Sequence, residues 1–245
     1  MSKLLVVEES IILQSVFREL LDSNPNFTYD LVSSYAEANM LLSKSRYEFG
    51  IVDRVLSDAP NGEIIALLNK YNIAPLVYTK YVDEDFFESF ESAQIVDYIL
   101  KQKYDKVTTV IKKLEKLQEN KKITILVATE SKIYNSYLKQ NLNIHNFKVF
   151  TSSSFVETQE RIDLHPETSL LIVDINDKTI DSTKIVEYLR MHSANKHTKV
   201  LLIVDEANSY KTSSLLNLGA NDFIVKQFSR DEFYVRVYQN INKVC

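Results

Sequence analysis

Glu8, Glu9, Asp53, Thr79 and Lys101 are the residues whose types could carry chemistry together. Each follows a short apolar run: Leu4-Leu5-Val6-Val7 before the two glutamates, Phe49-Gly50-Ile51-Val52 before Asp53, Pro75 to Tyr78 before Thr79, and Ile95 to Leu100 before Lys101. Three carboxylates brought close together repel, so one takes up a proton unless a cation sits among them. A hard divalent ion with oxygen ligands is the natural guest, and Mg²⁺ suits a few carboxylates plus a phosphoryl oxygen. Asp53 is the carboxylate placed to act as nucleophile, which would give an aspartyl phosphate. The Lys101 ammonium would neutralise charge on the transferring group, and the Thr79 hydroxyl would donate to it. Taken singly, each residue has an ordinary reading as loop, strand or surface charge. Their order along the chain carries the argument.

That chemistry requires elements that bring five strand ends to one edge. Ser10 reads as the N-cap of a helix from Ile11 to Asp22, with apolar residues at helical spacing. A strand from Tyr29 to Val32, a helix from Ala36 to Lys44, the Asp53 strand and a helix from Glu63 to Lys70 follow. The strand Pro75 to Thr79, a Phe-rich helix from Glu84 to Ser92, the strand Ile95 to Leu100 and a helix from Asp105 to Gln118 complete the half. Alternation of strand and helix predicts a doubly wound α/β fold with a parallel sheet and helices on both faces. In such a sheet, sites lie past the carboxyl ends of the strands.

The pattern then restarts after the charged joint Glu119-Asn120-Lys121-Lys122. Ile123 to Ser131 echoes Leu4 to Ser10, and Leu170 to Asp174 echoes the Asp53 strand. The offsets agree, since 174 − 53 = 121 and 130 − 9 = 121. A repeat of this length is a duplicated domain. The expected domains are 1–120 and 121–245, each a five-stranded flavodoxin-like (βα)5 unit.

Composition narrows the function classes. The 245 residues carry a net charge of −4, which argues against a general nucleic-acid surface. No apolar run reaches the length of a membrane span, and the chain runs from Met1 straight into a strand with no room for a signal peptide. One cysteine, Cys245, fits a reducing cytoplasm. Three glycines cannot build a phosphate-cradling loop, and the four histidines are scattered and read as surface residues. A phosphohydrolase of the haloacid dehalogenase type needs a second Asp two residues after the nucleophile, where Val55 and Asn176 stand instead. A flavodoxin-like cofactor site needs a phosphate loop where Glu8 and Glu9 would repel phosphate. An interaction scaffold with both pockets inactive is the first alternative, and a Mg²⁺-dependent phosphohydrolase stands behind it.

From Lys3 to about Gln118 the sequence resembles the receiver domain of two-component response regulators: an acidic pair, then Asp, Thr and Lys after strands three, four and five. The resemblance implies phosphorylation of Asp53 by a histidine kinase or phosphotransfer protein, or by a small donor such as acetyl phosphate. It implies Mg²⁺ held directly by Glu9, Asp53 and the Val55 carbonyl, with Glu8 acting mainly through water. Tyr98 matches the aromatic that swings inward once Thr79 has turned to the phosphoryl group. Two glutamates where Asp-Asp or Glu-Asp is usual, Lys80 where a small residue is usual, and Gln102 where Pro is usual are departures.

The second half is the better match in its last third, Leu218 to Phe228. Its pocket keeps Glu130, Asp174 and Lys226, but Thr129 replaces an acid and Val204 replaces the hydroxyl. This predicts a degenerate receiver acting as an adaptor or dimerisation module. Tandem receivers of this kind resemble the regulatory half of response-regulator diguanylate cyclases, in which a GGDEF output domain follows. The resemblance thus implies a cytoplasmic, homodimeric signalling protein. It implies no enzymatic activity in this chain beyond gaining and losing its own phosphoryl group.

Overall fold

Residues 1–81, 94–101, 106–191, 196–205 and 209–242 are described by a computed structural model. Backbone contacts divide the chain into two compact units, Met1–Gln118 and Glu119–Cys245. The helix expected over Glu84 to Ser92 lies outside the described residues, as do Gln102 and Asp105.

The first unit runs β1 (Ser2–Val7), α1 (Ile11–Asp22), β2 (Phe27–Val32), α2 (Tyr35–Lys44), β3 (Phe49–Val52), α3 (Glu63–Lys70), β4 (Pro75–Thr79), β5 (Asp97–Leu100) and α4 (Lys106–Asn120). Its sheet is parallel, in the order β2-β1-β3-β4-β5. The second unit runs β6 (Thr124–Ala128), α5 (Lys132–Ile144), β7 (Lys148–Ser152), α6 (Phe155–Leu164), β8 (Thr168–Asp174), α7 (Ser182–Met191), β9 (Lys199–Val204), α8 (Ser209–Asn217), β10 (Asp222–Val225) and α9 (Arg230–Asn242). Its sheet, β7-β6-β8-β9-β10, repeats the first in order and direction.

The strands β1, β3 and β4 are nearly continuous apolar runs because helices cover both faces of the sheet. On one face, Val7, Val52 and Val77 pack with Ala38 and Leu42 of α2 and Ile64 and Leu68 of α3. On the other, Phe17 of α1 meets Tyr78 of β4 edge to face, with ring centres 6.0 Å apart. In the second unit α6, α7 and α8 cover one face, and α5 and α9 cover the other.

Serines start the helices in both units. Ser10 begins α1 and Ser131 begins α5, each accepting a backbone N–H three residues on. Ser34 and Ser154 do the same for α2 and α6, and Glu37 and Glu157 reach back to the backbone N–H groups of Ser33 and Ser153. These reciprocal caps are the same device used twice.

The reading of the histidines as surface residues fails for His145, which is 4% exposed. It closes α5, stacks on Tyr234 at 3.7 Å and lies 3.0 Å from the Tyr238 hydroxyl through Nδ1. Within the second unit, which begins at Glu119, the Asn120 side-chain amide donates to the His145 carbonyl and to the Tyr238 hydroxyl.

Gly50 lets α3 approach β3: a Cβ there would stand 2.2 Å from Leu68 Cδ2, and Leu68 is fully buried. Overpacking at such a place costs about 1–3 kcal/mol. Gly50→Ala is therefore expected to lower the stability of the first unit by that amount, read by hydrogen exchange of β3 amides in native buffer. Unchanged protection would show that Leu68 yields freely.

Candidate functional site

The first unit's sheet register sets the site. The backbone N–H of Glu8 bonds Val32 O, that of Asp53 bonds Val7 O, and that of Lys101 bonds Thr79 O. Each residue is thereby held one step past the end of its strand, at the carboxyl edge. Lys101 places its ammonium 2.6 Å from Glu8 Oε2 and 2.5 Å from Asp53 Oδ2. Its side chain is 4% exposed and lies over the buried Tyr78 ring, with Nζ 5.2 Å from the ring centre.

Glu8 is the inner acid. Its other oxygen accepts from the Ser10 N–H at 3.0 Å, and the Gln14 side chain donates to its carbonyl. Burial pushes its carboxyl above the ordinary 4.5, and the attraction of Lys101 recovers only part of that shift. Asp53 is more open, with 14% of its side chain exposed. Its Oδ1 has a long contact, 3.4 Å, from the Val55 N–H. The Thr79 hydroxyl is buried and donates weakly, at 3.5 Å, to the Tyr81 carbonyl. Tyr98 is half-buried and packs against the core cluster that contains Val77. Lys80 is exposed.

Glu9 points elsewhere. Its Oε1 accepts from the Ser57 N–H at 2.5 Å. The loop after β3 is tied a second time by Asp58, whose two oxygens accept from Tyr35 N and Ala36 N at the start of α2. Those bonds hold the Asp58 carboxyl below its ordinary range. Among the described residues, no group of three or more His, Cys, Asp or Glu side chains converges as metal ligands. The structure thus brings Glu8, Asp53 and Lys101 together, sets Thr79 beside them at the same edge, and holds Glu9 on the neighbouring loop. By donor type and charge the set still fits a hard divalent ion: three carboxylates against one ammonium leave a formal −2.

The second unit has the same backbone and different side chains. Lys226 N bonds Val204 O at 2.8 Å, as Lys101 N bonds Thr79 O at 2.8 Å, so Val204 occupies the hydroxyl's place. Asp174 is 2% exposed and both of its oxygens are engaged. Oδ1 accepts from the Asn176 backbone and side chain at 3.0 and 3.1 Å, and Oδ2 lies 2.9 Å from Lys226 Nζ. Lys226 also reaches Asp205 at 3.5 Å. Burial alone would lower the Lys226 pKa, but its hydrogen bond to Asp174 and the nearby acids raise it overall. Glu130 turns outward to the Thr179 N–H and hydroxyl, while its own N–H is taken by Asp177. Burial raises the Asp177 carboxyl above its ordinary range. Ser57, Asp177 and Asp205 carry no signal in the sequence, because each acts through where a loop happens to run.

Glu8 gives the first unit a pH signature. Folded Glu8 keeps its proton to higher pH than unfolded Glu8, so its contribution to stability is full below the unfolded value, near 4.5, and is lost as pH rises through the folded value. In metal-free buffer, first-unit stability is expected to fall over that window with a slope of at most about 1.4 kcal/mol per pH unit. Glu8→Gln should remove the slope. Identical pH profiles for the two proteins would contradict the assignment.

The family model for the response regulator receiver domain matches residues 125–238. Chemotaxis protein CheY1 of Helicobacter pylori (strain ATCC 700392 / 26695) is 26% identical over 106 residues, 43% of this chain and 86% of that protein. CheY1 of strain J99 / ATCC 700824 aligns to the same extent. Two solved structures, each of a two-component system response regulator/GGDEF domain protein, superpose with TM-scores of 0.81 and 0.80 at 23% identity. Each alignment covers 99% of this chain and 98% of the other, so the fold is shared along the whole length. Residues 125–238 are thus similar to the response regulator receiver domain, and the chain as a whole shares the fold of the two solved structures, two five-stranded parallel α/β units in tandem.

Proposed function

We propose that residues 1–120 form the phosphoryl acceptor of a two-component relay and residues 121–245 a degenerate adaptor receiver. The single observation behind this reading is the contrast between the two aspartates. Asp53 is 14% exposed, with one oxygen in only a long contact, whereas Asp174 is 2% exposed with both oxygens committed.

The donor is a phosphohistidine on a histidine kinase or phosphotransfer protein, or a small acyl phosphate. An Asp53 carboxylate oxygen attacks phosphorus, the bond from phosphorus to the imidazole nitrogen breaks, and that nitrogen retains the electron pair. Lys101 shifts from the Asp53 carboxylate toward a phosphoryl oxygen and neutralises charge there. Glu9, Asp53 and the Val55 carbonyl would hold Mg²⁺, with Glu8 acting through water. When bound, that ion supplies charge neutralisation for the transferring group. Glu9 has to exchange the Ser57 N–H for this role.

The new group adds about −1.5 to −2 charge and strong acceptor oxygens. Thr79 exchanges its weak bond to the Tyr81 carbonyl for one to the phosphoryl group, and Tyr98 follows into the space released. This is a two-state element biased by a local charge. Two solved structures that align along the whole chain are named response regulator/GGDEF domain proteins. That supports a diguanylate cyclase output in a longer cytoplasmic parent, with homodimerisation as the switched property. Among the described residues, no helix is long and apolar enough to cross a membrane.

The test is intact mass after incubation with acetyl phosphate and Mg²⁺. One phosphoryl adduct is expected in the wild type and in Asp174→Ala, and none in Asp53→Ala. An adduct that survives Asp53→Ala and disappears in Asp174→Ala would overturn the assignment. Thr79→Ala should keep the adduct yet lose any phosphorylation-dependent change of elution volume in size-exclusion chromatography; a retained change would remove Thr79 from the switch.

A further inference from the structure

The opposite edge of the first sheet carries a second feature. The segment Ser43 to Tyr47 leads into β3, and Lys70 to Ile73 leads into β4. Between them lies a cavity of about 560 Å³, within the range of small-molecule sites. Lys44, Arg46 and Lys70 line it, with Ser45, Tyr71 and Asn72. Among the described residues no Asp or Glu lines it, in a chain that has more acidic residues (33) than basic ones (29). Lys44, Arg46 and Lys70 are exposed, and among the described residues none of them makes an ion pair.

Lys44 and Lys70 each stand in the last turn of a helix, α2 and α3, where a cation is favoured by the helix dipole. That explains part of their placement. Two helix C-termini supply together about one unit of negative charge, against three full positive charges. Among the described residues, roughly two units of positive charge therefore remain over one concavity. Arg46 has no such helix to serve. Tyr71 adds a partly exposed ring, and Asn72, held in the left-handed conformation at φ 59°, fixes the turn behind it.

We propose that this cavity binds a small polyanion carrying two or more phosphate groups, of the class of nucleoside triphosphates or inorganic triphosphate. It lies at the amino edge of the sheet, away from Asp53 at the carboxyl edge, so occupancy does not require phosphorylation. A fork-shaped guanidinium after α2 and two ammonium groups from the ends of α2 and α3 match several phosphate oxygens at once. The cavity volume, about 560 Å³, suits a small molecule.

The probes are inorganic triphosphate, ATP and adenosine, titrated calorimetrically into the full chain carrying Asp53→Ala, in EDTA at low salt. Saturable one-site binding of triphosphate and ATP is expected, and none of adenosine. Arg46→Ala/Lys70→Ala should weaken it about tenfold or more. Lys132→Ala/Lys139→Ala, an equal loss of exposed charge on α5, should leave it within about twofold. Tighter binding of ATP than of triphosphate would assign a share to the base, and equal binding would assign recognition to phosphate alone; either outcome upholds the site. No saturable binding at millimolar probe would overturn the proposal, as would equal weakening by both double variants or none by the first.

Discussion

One buried ammonium holds the first unit's site together. Glu8 and Asp53 leave adjacent parts of the sheet edge with like charges, and among the described residues it is Lys101, 2.6 and 2.5 Å from them, that makes the juxtaposition tolerable. Lys101 starts from β5, two strand spacings of about 4.8 Å from β3 and three from β1. Its long chain crosses that gap over the Tyr78 ring, which Phe17 holds from below. The extra methylene of a glutamate at position 8 shortens the remaining distance. The Glu-Glu pair after β1 thus divides its labour: Glu8 completes the buried charge cluster and Glu9 steadies the loop after β3.

The duplicated unit shows how little of this depends on the backbone. Lys226 and Val204 meet through the same hydrogen bond as Lys101 and Thr79. Yet Lys226 is 33% exposed where Lys101 is 4%, because Thr129 has replaced the inner acid and Asp205 offers an outer one. Apolar strands and serine caps keep the fold, whereas a handful of side chains decide the chemistry. It is consistent that the receiver family model matches the unit with the poorer pocket, since most of any such match comes from core positions.

Much of this was legible in the sequence, for physical reasons. Buried parallel strands must be apolar runs, so β1, β3 and β4 announce themselves, and α1 and α3 run over the expected residues. β5 begins at Asp97 and not at Ile95, although Val96 N already bonds Pro75 O, since strand ends depend on partners more than on composition. That residues 53, 79 and 101 stand at the carboxyl edge follows from their places at the ends of apolar runs. What stayed hidden depends on loop paths: Ser57 capturing Glu9, Asp58 capping α2, and Asp177 and Asp205 entering the second pocket. Burial of His145 was hidden too, because a polar ring joins a core only when specific partners are waiting, here Tyr234 and Tyr238.

The most direct test is a stability cycle at positions 8 and 101, read by native-state hydrogen exchange of the β1 and β3 amides in metal-free buffer at neutral pH. If one ammonium makes the acidic pair tolerable, Lys101→Met alone should cost the first unit about 3–5 kcal/mol. Adding Glu8→Gln should return most of that loss, while second-unit amides stay unchanged. Losses that simply add would mean that Lys101 is not what holds the two carboxylates together.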